Sequence, residues 1–143
     1  MKRDLGDGYE LDDDPARIDV TAVHRYISED SYWAAGREYE MQERLVREAS
    51  RVVGLYHGGA QVGFCRAVAP FGFPAVYLAD VYVLDAHRGR GLGVSLVEEM
   101  VERGPYADRA WILHTKDAHE LYRKFGFGEP GDRLMERPMP RRR

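Results

Sequence analysis

The chain has 143 residues, 44% of them hydrophobic and 11% aromatic, enough for one domain with a single sizeable core. A formal net charge of −3, with 31% of residues charged, offers no basic field to nucleic acid or to an anionic membrane, so neither is expected as a partner. The single cysteine, Cys65, excludes an internal disulfide and cannot alone make a thiolate metal site; no stretch approaches the roughly 18 apolar residues of a membrane span or the apolar core of a signal peptide, so the chain is expected in the cytoplasm.

Residues 1–17, with five aspartates, two glycines and a proline, show little periodicity. They are expected as a loose leader carrying at most an edge strand that ends near Val20. Ala22, Val23, Tyr26 and Ile27 then fall at helical spacing behind a Thr21 cap. After a break at Gly36, "EYEMQERLVREAS" resumes that spacing weakly. The period changes with "RVVGLYH" and "AQVGFCRAVA", which flank Gly58-Gly59 in the pattern of a hairpin. Beyond a turn over Pro70 to Pro74, "AVYLADVYVL" is a nearly continuous β-branched and aromatic run, as in a central strand covered on both faces, and Asp80 interrupts it. Leu92, Leu96, Val97, Met100 and Val101 mark one helical face, with Glu98, Glu99 and Glu102 on the other and Gly104-Pro105 as the stop. "RAWILHT" reads as another strand. Asp117 is then expected to cap a helix, with Glu120 returning the bond and Ala118, Leu121, Tyr122 and Phe125 forming a stripe ended by Gly126. A short last strand around "RLMERP" and a frayed tail over 138–143 complete a single expected domain, 1–143.

The stretch "HRGRGLG", His87 to Gly93, joins the central strand to the helix that follows it. A strand feeding a glycine turn that opens a helix presents unpaired N–H groups and a positive helix end, a receptor for phosphate. Gly89, Gly91 and Gly93 permit positive φ and close approach of a ligand, and Arg88 and Arg90 add charge suited to a diphosphate. By residue type alone, the same text also fits a tight connection with two solvent arginines. It is not a Walker loop, because Gly93 is followed by Val94 and Ser95 rather than by Lys and Ser/Thr. A dinucleotide fingerprint needs G-x-G-x-x-G, whereas these glycines are spaced G-x-G-x-G.

With Arg88, Gly91 and Gly93 in place, the stretch resembles the Arg/Gln-x-x-Gly-x-Gly/Ala signature of the GCN5-related N-acetyltransferases (GNAT), and "AHELYRKFGF" resembles that family's A-x-x-L-Y-x-x-x-G-F helix. The two motifs cover roughly residues 75 to 127. The resemblance implies an α/β (α+β) fold: a mixed, mostly antiparallel twisted sheet splayed at its centre, with helices on both faces. It implies acetyl-CoA as co-substrate in the V, its pantetheine arm pairing with backbone at Val81, Tyr82 and Val83. The pyrophosphate would sit on Arg88, Gly89, Arg90, Gly91, Leu92, Gly93 and Val94. The implied activity is transfer of an acetyl group, by direct attack in a ternary complex, to a primary amine of a small molecule or peptide. Tyr122 occupies the family's general-acid position.

Other residues keep alternatives. Asp80 is the base, an anchor for the acceptor, or a satisfied structural carboxylate, because a carboxylate in a buried strand needs a reason to be there. Tyr77 and Tyr82 reach the cleft or not according to a possible β-bulge. Thr115 stands where the family often has Asn and is assigned to the cofactor site. In the family the acceptor pocket draws on the early helices, here "EDSYWAAGRE": Tyr32 and Trp33 form a stacking wall or pack the helices, Arg37 holds an acceptor anion, and acidity from Glu29, Asp30 and Asp80 favours a cationic amine. His24, His57, His87, His114 and His119 stay outside the mechanism, and no metal is expected, since their spacing matches no ligand motif. The alternative function is a non-catalytic acyl-CoA-binding module. Monomer and homodimer both remain open.

Overall fold

Gly58 and Gly59, both at positive φ, fold strand β3 (Arg51–His57) back onto β4 (Ala60–Val68) as the sequence predicts. In the computed structural model, which describes residues 1–70 and 74–140, this hairpin lies at the centre of one sheet. Its other strands are β1 (Lys2–Gly6), β2 (Tyr9–Asp12), β5 (Ala75–Val83) and β6 (Ala110–Ile112), in the order β1-β2-β3-β4-β5-β6. Neighbours run antiparallel except β5 and β6, which are parallel, so the mixed and mostly antiparallel sheet is as expected. Residues 71–73 of the expected Pro70 to Pro74 turn, and the arginines at 141–143, lie outside the described residues.

Helices cover both faces. On one, α1 (Val20–Asp30) and α2 (Tyr39–Glu48) bring Val23, Ile27 and Val46 onto Val52, Phe64 and Tyr82. On the other, Leu92, Leu96, Val97 and Met100 of α3 (Leu92–Val101) pack on Val53, Leu55, Cys65 and Val76, with Tyr122 of the short α4 (His119–Arg123) at the margin. Asp19, rather than Thr21, caps α1 by accepting from the Ala22 amide at 3.0 Å.

Three expectations are corrected. Residues 1–17 are no loose leader: β1 and β2 form a hairpin with Tyr9 and Leu11 buried, followed by a 3₁₀ turn at Pro15–Arg17. The aspartates that hide its period each have a task, since Asp12 pairs with Arg17, Asp13 with Arg51, and Asp14 caps the 3₁₀ turn. Glu99 is on the buried face of α3, where its carboxylate meets Arg3 Nε at 2.6 Å and Arg51 Nη2 at 3.3 Å. Position 99 is three beyond Leu96 and seven beyond Leu92, so the periodicity places it inside, and its charge misleads. The segment "RLMERP" forms no strand; Met135 is 93% exposed, and nothing pairs with the segment to make a sheet edge.

The Glu99 network joins the first hairpin, β3 and α3, so removing its carboxylate strands the buried Arg51 guanidinium. Glu99→Ala is expected to lower unfolding free energy by about 3 to 5 kcal/mol in urea denaturation, whereas a loss below about 1 kcal/mol would put this pair in the class of surface bridges.

Candidate active site

The site begins with a fault in β5. Arg66 pairs with Ala79 and Phe64 with Tyr82, so two residues of β5, Asp80 and Val81, oppose Cys65 alone. Asp80 takes up this β-bulge with φ of 55°, a left-handed conformation that aspartate tolerates better than most residues. On its other edge β5 pairs with β6 only from Ala75 to Tyr77, so the remaining length of β5 parts from its parallel neighbour. This is the expected splay, and it leaves backbone groups of the later β5 residues free on that edge.

The Asp80 carboxylate is tied on every side. Oδ2 accepts from Arg37 Nη1 and from Arg66 Nε, each at 2.7 Å, and Oδ1 accepts from Trp33 Nε1 at 2.9 Å. Burial pushes its proton affinity up, but the hydrogen bond from Arg37 and the charge of Arg66 outweigh burial and hold it below the usual carboxylate range. Such a group stays ionised and is a poor base. Arg37 is likewise engaged, by Asp80 and by Gln42 Oε1 at 2.9 Å, rather than turned toward an acceptor. Asp80 therefore adds no net acidity to the mouth, because two guanidiniums answer its one charge.

Two clefts meet here. The first, about 590 Å³, gathers Val81, Tyr82, Val83, Arg88, Gly89, Gly91, Leu92 and Gly93 from the cofactor residues that the sequence singles out. Gly89 and Gly91 have φ of 81° and 75°, and α3 opens on Gly91 with no side chain capping its first amides. Arg88 has protein partners: its Nε donates to the Val83 carbonyl at 3.0 Å, its Nη2 to the Tyr26 hydroxyl at 2.9 Å, and its Nη1 pairs with Asp85. It thus fastens the loop to β5 and α1. Arg90 lies exposed beside it. The Tyr82 ring is buried, stacked on Tyr26 at 4.1 Å, so this residue can offer only its backbone to the cleft.

The second cleft, about 600 Å³, is lined by Tyr32, Trp33, Arg37, Tyr77, Asp80 and Thr115 together with Arg66, His114 and Glu136. Tyr32 and Trp33 are 50% and 40% exposed, so they wall the cleft more than they fill the core, although Trp33 is pinned by Asp80. The Tyr32 hydroxyl accepts from the Lys116 amide at 2.8 Å and so bridges the early loop to the segment after β6. Thr115 Oγ1 accepts from the Ala118 amide at 3.1 Å, the cap role expected of Asp117. Tyr32, Trp33, Val81, Asp117, Ala118 and Tyr122 line both clefts. Tyr122 is 8% exposed, and burial holds its phenol well above its ordinary range, so it remains protonated at neutral pH.

Sequence reasoning misses Arg66, His114 and Glu136. Arg66 carries a usable signal, as the only charge inside the apolar run of β4 beside the only charge inside β5. Glu136 carries none, because its place depends on how the irregular C-terminal segment folds back. Among the described residues no cluster of His, Cys, Asp and Glu could hold a metal ion, and no helix is long and apolar enough to cross a membrane.

A splayed mixed sheet with a glycine-opened helix at the split defines a protein of the α/β acetyltransferase class. The model of the acetyltransferase (GNAT) family matches residues 19–127, and the chain belongs to that family. A Xanthomonas campestris protein of known crystal structure, assigned to the same family, is 33% identical with a TM-score of 0.83, covering 92% of this chain and 94% of its own. A protein of Gibberella zeae that carries an acetyltransferase name is 27% identical over 142 residues, 82% of this chain and 78% of the relative. A Staphylococcus aureus structure at 19% identity, TM-score 0.70, covering 93% of this chain and 99% of its own, shares the fold.

No heavy atom lies within 4 Å of a Cβ built on Gly91, so the space the glycine leaves is open for a ligand and a side chain there meets strain in φ alone. Gly91→Val is expected to keep the fold and weaken CoA binding by roughly 10-fold or more, from about 1 to 2 kcal/mol of left-handed strain plus blocked approach. Calorimetry with CoA showing unchanged affinity would make the loop a mere connector.

Proposed function

We propose that the chain is an acetyl-CoA-dependent N-acetyltransferase of the cytoplasm, which passes the acetyl group to a primary amine of a small molecule or peptide by direct attack in a ternary complex. The observation that carries this reading is the meeting of the two clefts at Tyr122. One cleft has the features a nucleotide thioester requires: positive-φ glycines, uncapped helix amides and a free strand edge. The other is walled by aromatic side chains and open to an acceptor.

When bound, acetyl-CoA supplies an activated acyl carbon whose leaving group is a thiolate. The amides from Gly89 to Val94 and the positive end of α3 bind the pyrophosphate, and the unpaired edge at Val81 to Val83 orients the pantetheine arm as an added strand would be oriented. Arg88 steadies this loop, while Arg90 supplies charge at its rim. Tyr122, kept neutral by burial, donates its phenol proton to the departing sulfur. Tyr32 and Trp33 hold the acceptor. Asp80 organises the wall through Trp33, Arg37 and Arg66 rather than taking a proton.

Tyr122→Phe deletes one hydroxyl and keeps the ring that packs on Phe127. With purified protein and a panel of primary amines, thiol release should fall by about 10²-fold while CoA affinity stays within roughly 3-fold. Undiminished turnover would remove Tyr122 from the chemistry. The absence of turnover in the parent protein with every amine, alongside tight CoA binding, would favour a binding module.

A further inference from the structure

The acceptor-side cleft contains a hydrogen-bonded chain that the roles above leave unused. The Tyr77 hydroxyl lies 2.6 Å from Nδ1 of His114, and Nε2 of His114 lies 2.9 Å from a Glu136 carboxylate oxygen. All three line the cleft that Tyr122 also lines. Tyr77 pairs with Ile112 in the parallel ladder, and His114 is two residues further, on the same side by strand alternation. A carboxylate can only accept, so Glu136 draws the single proton of a neutral imidazole to Nε2, leaves Nδ1 as acceptor and makes the Tyr77 phenol the donor. A carboxylate-oriented imidazole behind a hydroxyl is the general arrangement that activates the hydroxyl oxygen.

We propose that Tyr77 takes the proton from the acceptor's ammonium group, with His114 and Glu136 as positioning residues behind it, a role that rests on the amine-acetylating function above. One ammonium N–H bond breaks toward the Tyr77 oxygen as the Tyr77 proton passes to Nδ1, and His114 becomes an imidazolium paired with Glu136. The freed nitrogen lone pair attacks the thioester carbonyl carbon; the C–N bond forms and the C–S bond breaks. The thiolate takes the Tyr122 proton, and a second proton from the nitrogen restores the Tyr122 phenol. One net proton leaves per turnover, from His114, whose side chain is 64% exposed, to water.

The alternative carboxylate in the cleft, Asp80, is already saturated by Arg37, Arg66 and Trp33. Burial holds the Tyr77 hydroxyl above its usual range, with Arg66 pulling it down and Asp80 and Glu136 pushing it up. It is therefore a neutral phenol that yields its proton only as it gains another. Arg37, Asp117 and Arg137 are the other charged side chains that line the same cleft.

Two measurements test this. In heteronuclear NMR of the full chain, neutral His114 is expected as the Nε2–H tautomer; an Nδ1–H tautomer overturns the proposal, because Tyr77 could then only accept. The second compares benzylamine, mostly protonated near neutrality, with hydroxylamine, mostly neutral there. Tyr77→Phe and His114→Gln are each expected to lower the benzylamine-to-hydroxylamine ratio of kcat/KM near neutral pH by about 10²-fold, the scale of a positioned base. Glu136→Gln should lower it less, and the deficits should shrink as alkaline pH supplies free benzylamine. Equal losses with both amines, or an unchanged ratio, overturn the relay alone. Failure of the parent protein to acetylate either amine overturns the N-acetyl transfer reading and the relay with it.

Discussion

A carboxylate held between two guanidiniums at a left-handed residue of the central strand is the constraint on which the site depends. Asp80 at φ of 55° lets β5 carry one residue more than β4 can pair. A non-glycine residue in that region costs of order 1 to 3 kcal/mol, and it persists only where surrounding contacts over-determine it. Here Arg37, Arg66 and Trp33 do so, with charge-assisted hydrogen bonds worth about 1.5 to 3 kcal/mol each before the cost of burying the ions. The same three contacts bring the early loop, β4 and β5 to one point. Bulge, splay and aromatic wall are thus one structural event.

That coupling explains how two grooves come to share a wall. Past Tyr77, β5 has no neighbour on its β6 side, so backbone that would close a sheet borders a cleft instead. The helix that follows β5 starts on Gly91 at the same end, which puts its uncapped amides in line with the free edge. On the far side of β5, Tyr32 and Trp33 reach over the split from the α1–α2 loop. Tyr122 arrives from α4, whose first turn is closed by Thr115. At the opposite end of the molecule, Arg51 and Glu99 hold the first hairpin to α3 by a second buried ionic network, so the sheet is pinned at both ends while its middle stays open.

The cofactor loop and the Tyr122 helix were legible in the sequence because their geometry is local: glycine conformations, a helix start and an i, i+3, i+4 stripe lie within a few residues of one another. The splayed sheet followed from the family those motifs resemble. Asp80 was legible as a residue needing a reason, but the reason was not, since Arg37 and Arg66 are 43 and 14 residues away. The hairpin over residues 1–17 was hidden because its aspartates find partners only in the fold. Glu99 was misassigned by its charge where its helical position was the better guide, and Glu136 reaches His114 from a segment with no secondary structure to predict.

The central claim is that the bulge at Asp80 opens β5 to a nucleotide thioester between the glycine loop and the aromatic wall. The most direct test is a crystal structure of the protein with CoA. The account predicts pyrophosphate oxygens on the amides between Gly89 and Val94, pantetheine amides paired with backbone of Val81 to Val83, the sulfur beside Tyr122, and Asp80 still left-handed between Arg37 and Arg66. CoA bound elsewhere, or a β5 that pairs with its parallel neighbour past Tyr77, would contradict it.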